Sequence, residues 1–211
     1  MKRSLIVMSL LGVGTLGTAM AQEVPRFTFN LGAGFTSPVD TTGDRLDQGW
    51  NASAGAGVNL HPNLGLMAQF NYNAFGINSA TLSSLGFPAG DVRISSVTLN
   101  PVIHTNPRGP VDVYLIGGGG WYRWSQEFTR PTVATFTAFD PYFGVFYPVP
   151  VPVNQVVSSY AINKPGWNGG LGLSFGTRWS AKFYAEARFH RVILGSDRYA
   201  DMLPVTFGLR W

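Results

Sequence analysis

Eight segments of the chain alternate, residue by residue, between an apolar and a small polar side chain. A period of two is the pattern of β-strands whose two faces meet different surroundings. In the first segment Phe27, Phe29 and Leu31 share one face, and Thr28 and Asn30 share the other. The segments lie at about 25–35, 49–60, 64–76, 92–104, 111–125, 166–176, 181–191 and 202–211. Their lengths suit membrane β-strands, which need about 9–11 residues.

The connections between these segments alternate in length. Three are short, at 61–63, 105–110 and 177–180, and read as tight turns. The others are longer and lie near 36–48, 77–91, 126–165 and 192–201. Short turns at one end and long loops at the other are typical of outer-membrane barrels. An even number of strands then places both ends of the mature chain on the short-turn side, in the periplasm.

Composition indicates which strand face is turned outwards. Charged residues make up 12% of the chain, against about 25% in soluble domains. A soluble lipocalin-like barrel, the alternative, carries its apolar face inside and its charge outside. Here the polar faces are mostly Gly, Ser, Asn and Thr, which suit a narrow lumen better than a water-facing surface. We therefore expect an all-β, eight-stranded antiparallel up-and-down transmembrane barrel, whose closure leaves no unpaired edge in lipid.

Aromatic residues fall near both ends of the predicted strands. Membrane barrels carry such rings in two girdles, one at each membrane interface. The rings expected near the outer rim are Phe35, Trp50, Phe75, Trp121, Trp124 and Trp167, and those near the inner rim are Phe27, Phe175, Trp179, Phe183 and Trp211.

The first 21 residues read as a cleaved signal peptide. Lys2 and Arg3 precede an apolar run that ends near Leu16, and Ala19-Met20-Ala21 supplies the small residues of a cleavage site. The alternative is a retained anchor, but a spanning helix needs about 20 apolar residues. The mature barrel domain is expected at 22–211. It has no basic run, so no nucleic-acid partner is expected.

A group of charged residues is predicted to lie inside the barrel. Eight strands enclose a space that side chains just fill, and a buried charge is costly unless it is paired. We interpret these residues as a paired-charge plug; the alternatives are a gated polar pore and a catalytic His–Glu pair. The group comprises Glu186, Arg188, His190 and Arg210, with Asp112 and Lys182 nearer the short turns.

The long connection at 126–165 is unusually apolar for a loop. Between Pro131 and Tyr160 the only charged residue is Asp140. Two of its stretches, 133–136 and 155–158, favour a hairpin that extends the fifth and sixth strands. An exposed apolar patch marks a contact surface, unless the loop folds over the barrel mouth and buries its own rings. The rings are Phe136, Phe139, Tyr142, Phe143, Phe146 and Tyr147, followed by the alternating Pro-Val segment 148–153.

The last segment carries a more specific pattern. Leu203, Val205, Phe207 and Leu209 alternate, and Trp211 closes the chain with an aromatic ring. This resembles the closing-strand signal that the barrel-assembly machinery reads. The mature chain as a whole resembles the small OmpA/OmpX-like outer-membrane β-barrel family. The resemblance implies contact with outer-membrane lipid and lipopolysaccharide, and functions as anchors, adhesins or small-solute channels.

Some small barrels of this kind are lipid A deacylases that use Ser, His and Glu. Their His lies near a Ser on a lipid-facing strand, whereas His190 is predicted to face inwards and Ser196 falls in a loop. His61 and His104 are isolated, so no metal or cofactor is expected. The sequence therefore predicts a non-enzymatic barrel that presents its apolar loop to a surface protein or polymer. The alternatives are a narrow conduit for small apolar solutes and, less favoured, a lipid A-modifying enzyme.

Overall fold

The computed structural model describes residues 25–176, 181–195 and 198–211, which form eight strands and two short helices. The predicted leader at 1–21 and the predicted turn at 177–180 lie outside the described residues. In chain order the elements are β1 (Phe27–Val39), α1 (Asp40–Gly43), β2 (Gly49–His61), β3 (Leu64–Gly76), α2 (Ser79–Leu85), β4 (Ala89–His104), β5 (Val111–Asp140), β6 (Val145–Gly176), β7 (Lys182–Gly195) and β8 (Arg198–Arg210).

The strands form one closed up-and-down barrel. Each strand pairs antiparallel with the next, and β1 pairs with β8 from Asn30↔Arg210 to Val39↔Asp201. Closure satisfies the hydrogen bonds of both end strands within the sheet. The predicted fold class, an eight-stranded antiparallel barrel, is confirmed. Among the described residues, neither helix has the length and apolarity of a membrane-crossing helix.

The two faces of the barrel wall differ as the alternation predicts. Large apolar side chains point outwards around the whole circumference; Val97 is 60% exposed and Trp121 is 72% exposed. Asn, Ser, Thr and Gln side chains from the same strands are buried inside. A continuous apolar belt of this extent suits lipid rather than water.

Two rings predicted for the outer girdle lie inside the barrel instead. Phe75 is 3% exposed and belongs to a buried cluster with Ile77 and Val92, and Trp124 packs against that cluster. Both sit in strands that continue past the membrane-length segment, where a ring can close the lumen. Trp179 lies outside the described residues.

The two ends of the barrel are built differently. At one end, here called the turn end, β2–β3 and β4–β5 are joined by short connections. The opposite loop end carries α1, α2 and the β5–β6 hairpin. Asn78 caps the start of α2, since its side chain accepts a hydrogen bond from the Thr81 backbone N–H at 2.8 Å. The prediction of a long loop near 192–201 is wrong, because β7 continues to Gly195 and β8 begins at Arg198.

Candidate functional site

The middle of the lumen holds an ion-pair network around Glu186. Arg188 donates from Nε to Glu186 Oε1 at 3.0 Å, and its Nη2 also contacts that oxygen. The same Nη2 donates to Gln69 Oε1 at 2.7 Å, and Tyr114 Oη donates to Glu186 Oε2 at 2.9 Å. Glu186 is 5% exposed and Arg188 is 2% exposed. The carboxylate therefore holds together side chains from β3, β5 and β7 across the barrel.

Arg210 lies beside this network without a hydrogen bond to it. Its Nη2 is 4.0 Å from Glu186 Oε2, and its guanidinium carbon is 4.2 Å from the centroid of the Tyr114 ring. The Tyr184 ring centroid is 5.4 Å away. Two ring faces and a carboxylate at this distance stabilise the cation without matching its N–H groups.

The remaining predicted lumen residues lie in two other places. His190, 1% exposed, shares a 2.9 Å hydrogen bond between its Nδ1 and Tyr122 Oη, closer to the loop end. Asp112 lies at the turn end, with its Oδ2 2.5 Å from His104 Nδ1. Lys182 Nζ donates to the Pro107 carbonyl at 2.8 Å. The six predicted residues therefore occupy three levels of the lumen, and Ser196 lies outside the described residues.

Glycines make room for the tyrosines that fill the lumen. A Cβ added at Gly172 would lie 2.3 Å from Tyr114 Cζ, and one added at Gly32 would lie 2.3 Å from Tyr184 Oη. Tyr114 is fully buried and Tyr184 is 2% exposed. These glycines have no side chain at the position that a neighbouring tyrosine occupies. They therefore determine how tightly the interior can pack.

An apolar layer closes the lumen at the loop end. It combines inward residues of the barrel wall with Leu46, which precedes β2, and Leu82 of α2 packs against it. Leu46 is 6% exposed, and Val92, Tyr122 and Val192 are at most 1% exposed. The described lumen thus has an apolar layer above a polar network, with a cavity at the turn end.

The segment expected as a long loop is a continuous β-hairpin. β5 and β6 pair without interruption out to Asp140↔Val145, with one bulge at Phe128/Thr129. In the described structure β4 stops pairing with β5 at Thr129, and β7 pairs with β6 only from Gly166. The upper hairpin, residues 130–155, therefore stands clear of the barrel.

The rings of the upper hairpin are exposed, so they do not fold over the barrel mouth. Tyr142 is 88% exposed, and Phe143 and Phe146 are each 71% exposed. Phe136, Phe139 and Tyr147 are also exposed. These six residues, predicted from the sequence as contact residues, lie together in the outer half of the hairpin.

The tip of the hairpin is an ordered turn. Asp140 Oδ1 accepts hydrogen bonds from the backbone N–H of Tyr142 at 2.9 Å and of Phe143 at 3.3 Å. Gly144 closes the turn with a φ of 64°, which other residues rarely adopt. The rings of Phe139 and Phe146 pack at 5.0 Å between centroids, as do those of Tyr142 and Phe143. These four rings are here called the aromatic tip.

The prolines of β6 fall on one edge of the hairpin. Pro148, Pro150 and Pro152 face Thr137, Thr135 and Val133 in an unbroken register. A proline has no N–H, so these pairs occupy the positions whose backbone groups point away from the partner strand. The free edge of β6 therefore lacks backbone N–H donors at its three prolines. The free edge of β5 keeps the backbone N–H donors of Val133, Thr135 and Thr137.

The closing strand places its predicted assembly residues on the outer surface. Leu203, Phe207 and Leu209 are exposed on β8, and Val205 lies on the same face. Trp211 extends the pairing, because its N–H donates to the Phe29 carbonyl at 3.0 Å and its carbonyl accepts from the Phe29 N–H at 2.7 Å.

The barrel fold agrees with comparisons to known proteins. A family model for the outer membrane protein beta-barrel domain matches residues 6–210. The chain belongs to this family. A search of curated protein sequences finds no match. The family places this outer membrane protein beta-barrel domain in the bacterial outer membrane.

Several solved structures are similar to this family member at low sequence identity. Neisserial surface protein A is 13% identical, with a TM-score of 0.54 over 88% of this chain and 96% of that one. A major outer membrane protein from Thermus thermophilus is 11% identical, with a TM-score of 0.56 over 88% and 97%. The attachment invasion locus protein of Yersinia pestis, bound to the heparin analogue sucrose octasulfate, is 16% identical, with a TM-score of 0.48 over 89% and 100%.

The sequence did not indicate every partner in the lumen. Gln69, Tyr114 and Tyr122 contact the predicted charged residues but carry no charge of their own. His104, judged isolated in the sequence, pairs with Asp112. All four occupy alternate strand positions whose side chains point into the barrel. This alternation is the signal in the sequence that places them in the lumen.

Proposed function

We propose that the protein is a non-enzymatic surface protein that uses its upper hairpin to contact a partner outside the cell. The observation that carries this proposal is the exposed aromatic tip, held on a continuous two-stranded stem beyond the barrel. The turn end then faces the periplasm, with both mature chain termini, and the apolar belt contacts outer-membrane lipid and lipopolysaccharide. The closing strand and Trp211 serve assembly of the barrel.

The length of the hairpin supports a contact well away from the membrane. From Arg130 to Asp140, β5 continues beyond its last pair with β4. At about 3.3 Å per residue this stretch reaches roughly 35 Å further. Only the hairpin among the described elements extends in this way, so its tip is the first part of the protein that another surface meets.

The chemistry of the aromatic tip favours a protein or polymer with apolar groups. Four rings lie within one turn, and their only charged neighbour, Asp140, is occupied by the turn itself. Aromatic side chains supply large contact area at low cost in side-chain entropy, which is why they dominate interface hot spots. The ordered turn adds pre-organisation, because the rings need no rearrangement to bind.

The lumen favours this surface role over a conduit. The apolar layer around Leu46 closes the loop end, and the Glu186 network fills the middle of the described lumen. His190 is buried beside Tyr122, inside the barrel and away from the lipid-facing surface on which a lipid A-modifying enzyme would act. Fold alone does not decide between these functions, so the proposal rests on the hairpin.

The test compares cells that display three forms of the protein. In the tip variant, Phe139, Phe143 and Phe146 are replaced with Ser. In the stem control, Val149, Val151 and Val153 are replaced with Thr, which removes apolar area from the same hairpin but leaves the rings. Adhesion to hydrophobic beads and self-aggregation are measured, and a heat-modifiable band in the outer-membrane fraction verifies insertion of each form.

We expect the tip variant to lose at least roughly 80% of the adhesion above that of cells without the protein, as an estimate from the hot-spot behaviour of buried rings. The stem control should keep most of it. If the inserted tip variant adheres like the unaltered protein, or if the unaltered protein adheres no better than a barrel lacking 130–155, the aromatic tip is not a contact site.

A further inference from the structure

A cavity occupies the turn end of the lumen. Its volume is about 330 Å³, and residues from all eight strands line it. The size is at the lower end of the range for small-molecule pockets, about 300–1,000 Å³. The cavity lies on the opposite side of the barrel from the upper hairpin, so it has no part in the surface role proposed above.

Arg210 forms the inner wall of the cavity with unmatched donors. It is 6% exposed, and none of its Nε, Nη1 and Nη2 atoms has a hydrogen-bond partner among the described residues. A guanidinium offers five N–H donors in a planar fork, the geometry that matches a carboxylate or phosphate. Buried polar groups are nearly always satisfied, so an Arg210 that borders the cavity with no acceptor among the described residues indicates a missing one.

The other charges around the cavity leave one positive charge in excess. Among the side chains of the described lining, Lys182 and Arg210 are cationic and Asp112 is the one carboxylate. Asp112 is already occupied, since it binds His104 through Oδ2 and the Asn106 backbone N–H through Oδ1 at 2.8 Å. Lys182 uses one of its three donors on the Pro107 carbonyl. A single negative charge on a ligand would balance these three side chains.

The rest of the lining is largely apolar. Met67 and Val102 are 2% and 1% exposed and form one wall, while Trp211 and Pro25 flank the cavity towards the turn end. A ligand there would bury an apolar body beside its charged group. A volume of about 330 Å³ holds roughly ten non-hydrogen atoms, at about 30 Å³ each, the share of one water in the liquid.

We propose that this cavity is a binding site for a small carboxylate with a short apolar body, held by Arg210 as a bidentate partner and by Lys182 as a second cation. A monocarboxylate fits better than a phosphate monoester, because the second negative charge of the phosphate would exceed the excess positive charge. The carboxylate also supplies the two parallel acceptors that the guanidinium lacks.

The experiment measures binding by calorimetry to the folded full-length protein in lipid nanodiscs. Octanoate, with ten non-hydrogen atoms, is the probe; octanol has a similar body without charge, and inorganic phosphate has charge without a body. The variant is Arg210→Met, which keeps an unbranched side chain of similar length and removes the guanidinium donors. The matched control is Arg108→Met, the same change at an exposed residue of the same end. Empty nanodiscs measure partition into lipid.

We expect saturable binding of one octanoate per barrel, at least tenfold weaker in Arg210→Met and unchanged in Arg108→Met. Octanol and phosphate should each bind at least tenfold more weakly than octanoate. Equal octanoate binding by Arg210→Met and the unaltered protein, or a signal no larger than that of empty nanodiscs, would overturn the proposal. Phosphate binding as tight as that of octanoate would overturn the carboxylate assignment. If Arg210→Met fails to give a heat-modifiable band, Lys182→Met replaces it, with the same expected loss and the same refuting result.

Discussion

Replacing Glu186 with Gln tests whether one carboxylate holds the lumen together. The change keeps the size of the side chain and removes its charge. Glu186 accepts from Arg188 Nε at 3.0 Å and from Tyr114 Oη at 2.9 Å, and it lies 4.0 Å from Arg210. In the variant, the guanidinium groups of Arg188 and Arg210, which are 2% and 6% exposed, would repel each other with no carboxylate between them.

The expected loss follows from the cost of an orphaned buried charge. Breaking a buried ion pair by removing one partner costs about 3–5 kcal/mol of unfolding free energy. The matched control is Glu127→Gln, which removes the partner of Arg93 at 3.3 Å in a solvent-accessible pair at the loop end. An exposed pair contributes about 0–1 kcal/mol, so the same chemical change there should be nearly silent.

The assay is reversible urea unfolding in lipid vesicles, followed by tryptophan fluorescence. Adding Arg188→Met to the Glu186→Gln variant removes one of the orphaned cations. The loss of unfolding free energy in the double variant should therefore be smaller than the sum of the losses in the two single variants, by about 1–3 kcal/mol. A loss below about 1 kcal/mol for Glu186→Gln, or strict additivity in the double variant, would show that the charge is compensated in another way.

Two further changes test the packing and closure of the barrel. Gly172→Ala should destabilise the barrel by about 1–3 kcal/mol through overpacking against Tyr114, while Gly169→Ala, whose added Cβ meets nothing within 4 Å, should not; equal urea midpoints would contradict this account. Deleting Trp211 removes two backbone hydrogen bonds to Phe29 and should reduce the heat-modifiable band in outer-membrane fractions, whereas an undiminished band would exclude a role in assembly.

The barrel and its faces were predictable because the pattern that encodes them is local. A period of two fixes which side chains share a face, and the scarcity of charge indicates which face meets lipid. Each predicted strand appears in the structure, and the alternation of Leu203, Phe207 and Leu209 on β8 corresponds to one outer face. The predicted ends of the strands are less accurate. Where a strand continues beyond the membrane, its outer face no longer has to be apolar, so the alternating pattern fades.

The contacts of the site needed information that one sequence does not hold. Which charges meet inside the barrel depends on register, as with Arg188 of β7 and Gln69 of β3, far apart in the chain. α2 carries a helix start at Asn78 and a stop at Gly86, but a prediction based on strand alternation does not detect a helix. The place of Phe75 near the end of its strand predicts a girdle position, whereas its alternate position along β3 turns the ring into the lumen.

The unequal edges of the upper hairpin set a limit on how many strands can add to it. Pro148, Pro150 and Pro152 close the free edge of β6 to further pairing, whereas the edge of β5 that carries Val133, Thr135 and Thr137 still has its backbone donors and acceptors. A fibre of stacked strands needs two open edges on every unit, so that each addition creates the next. With one edge closed, strand addition stops after a single step, so these apolar hairpins can pair with each other without polymerising.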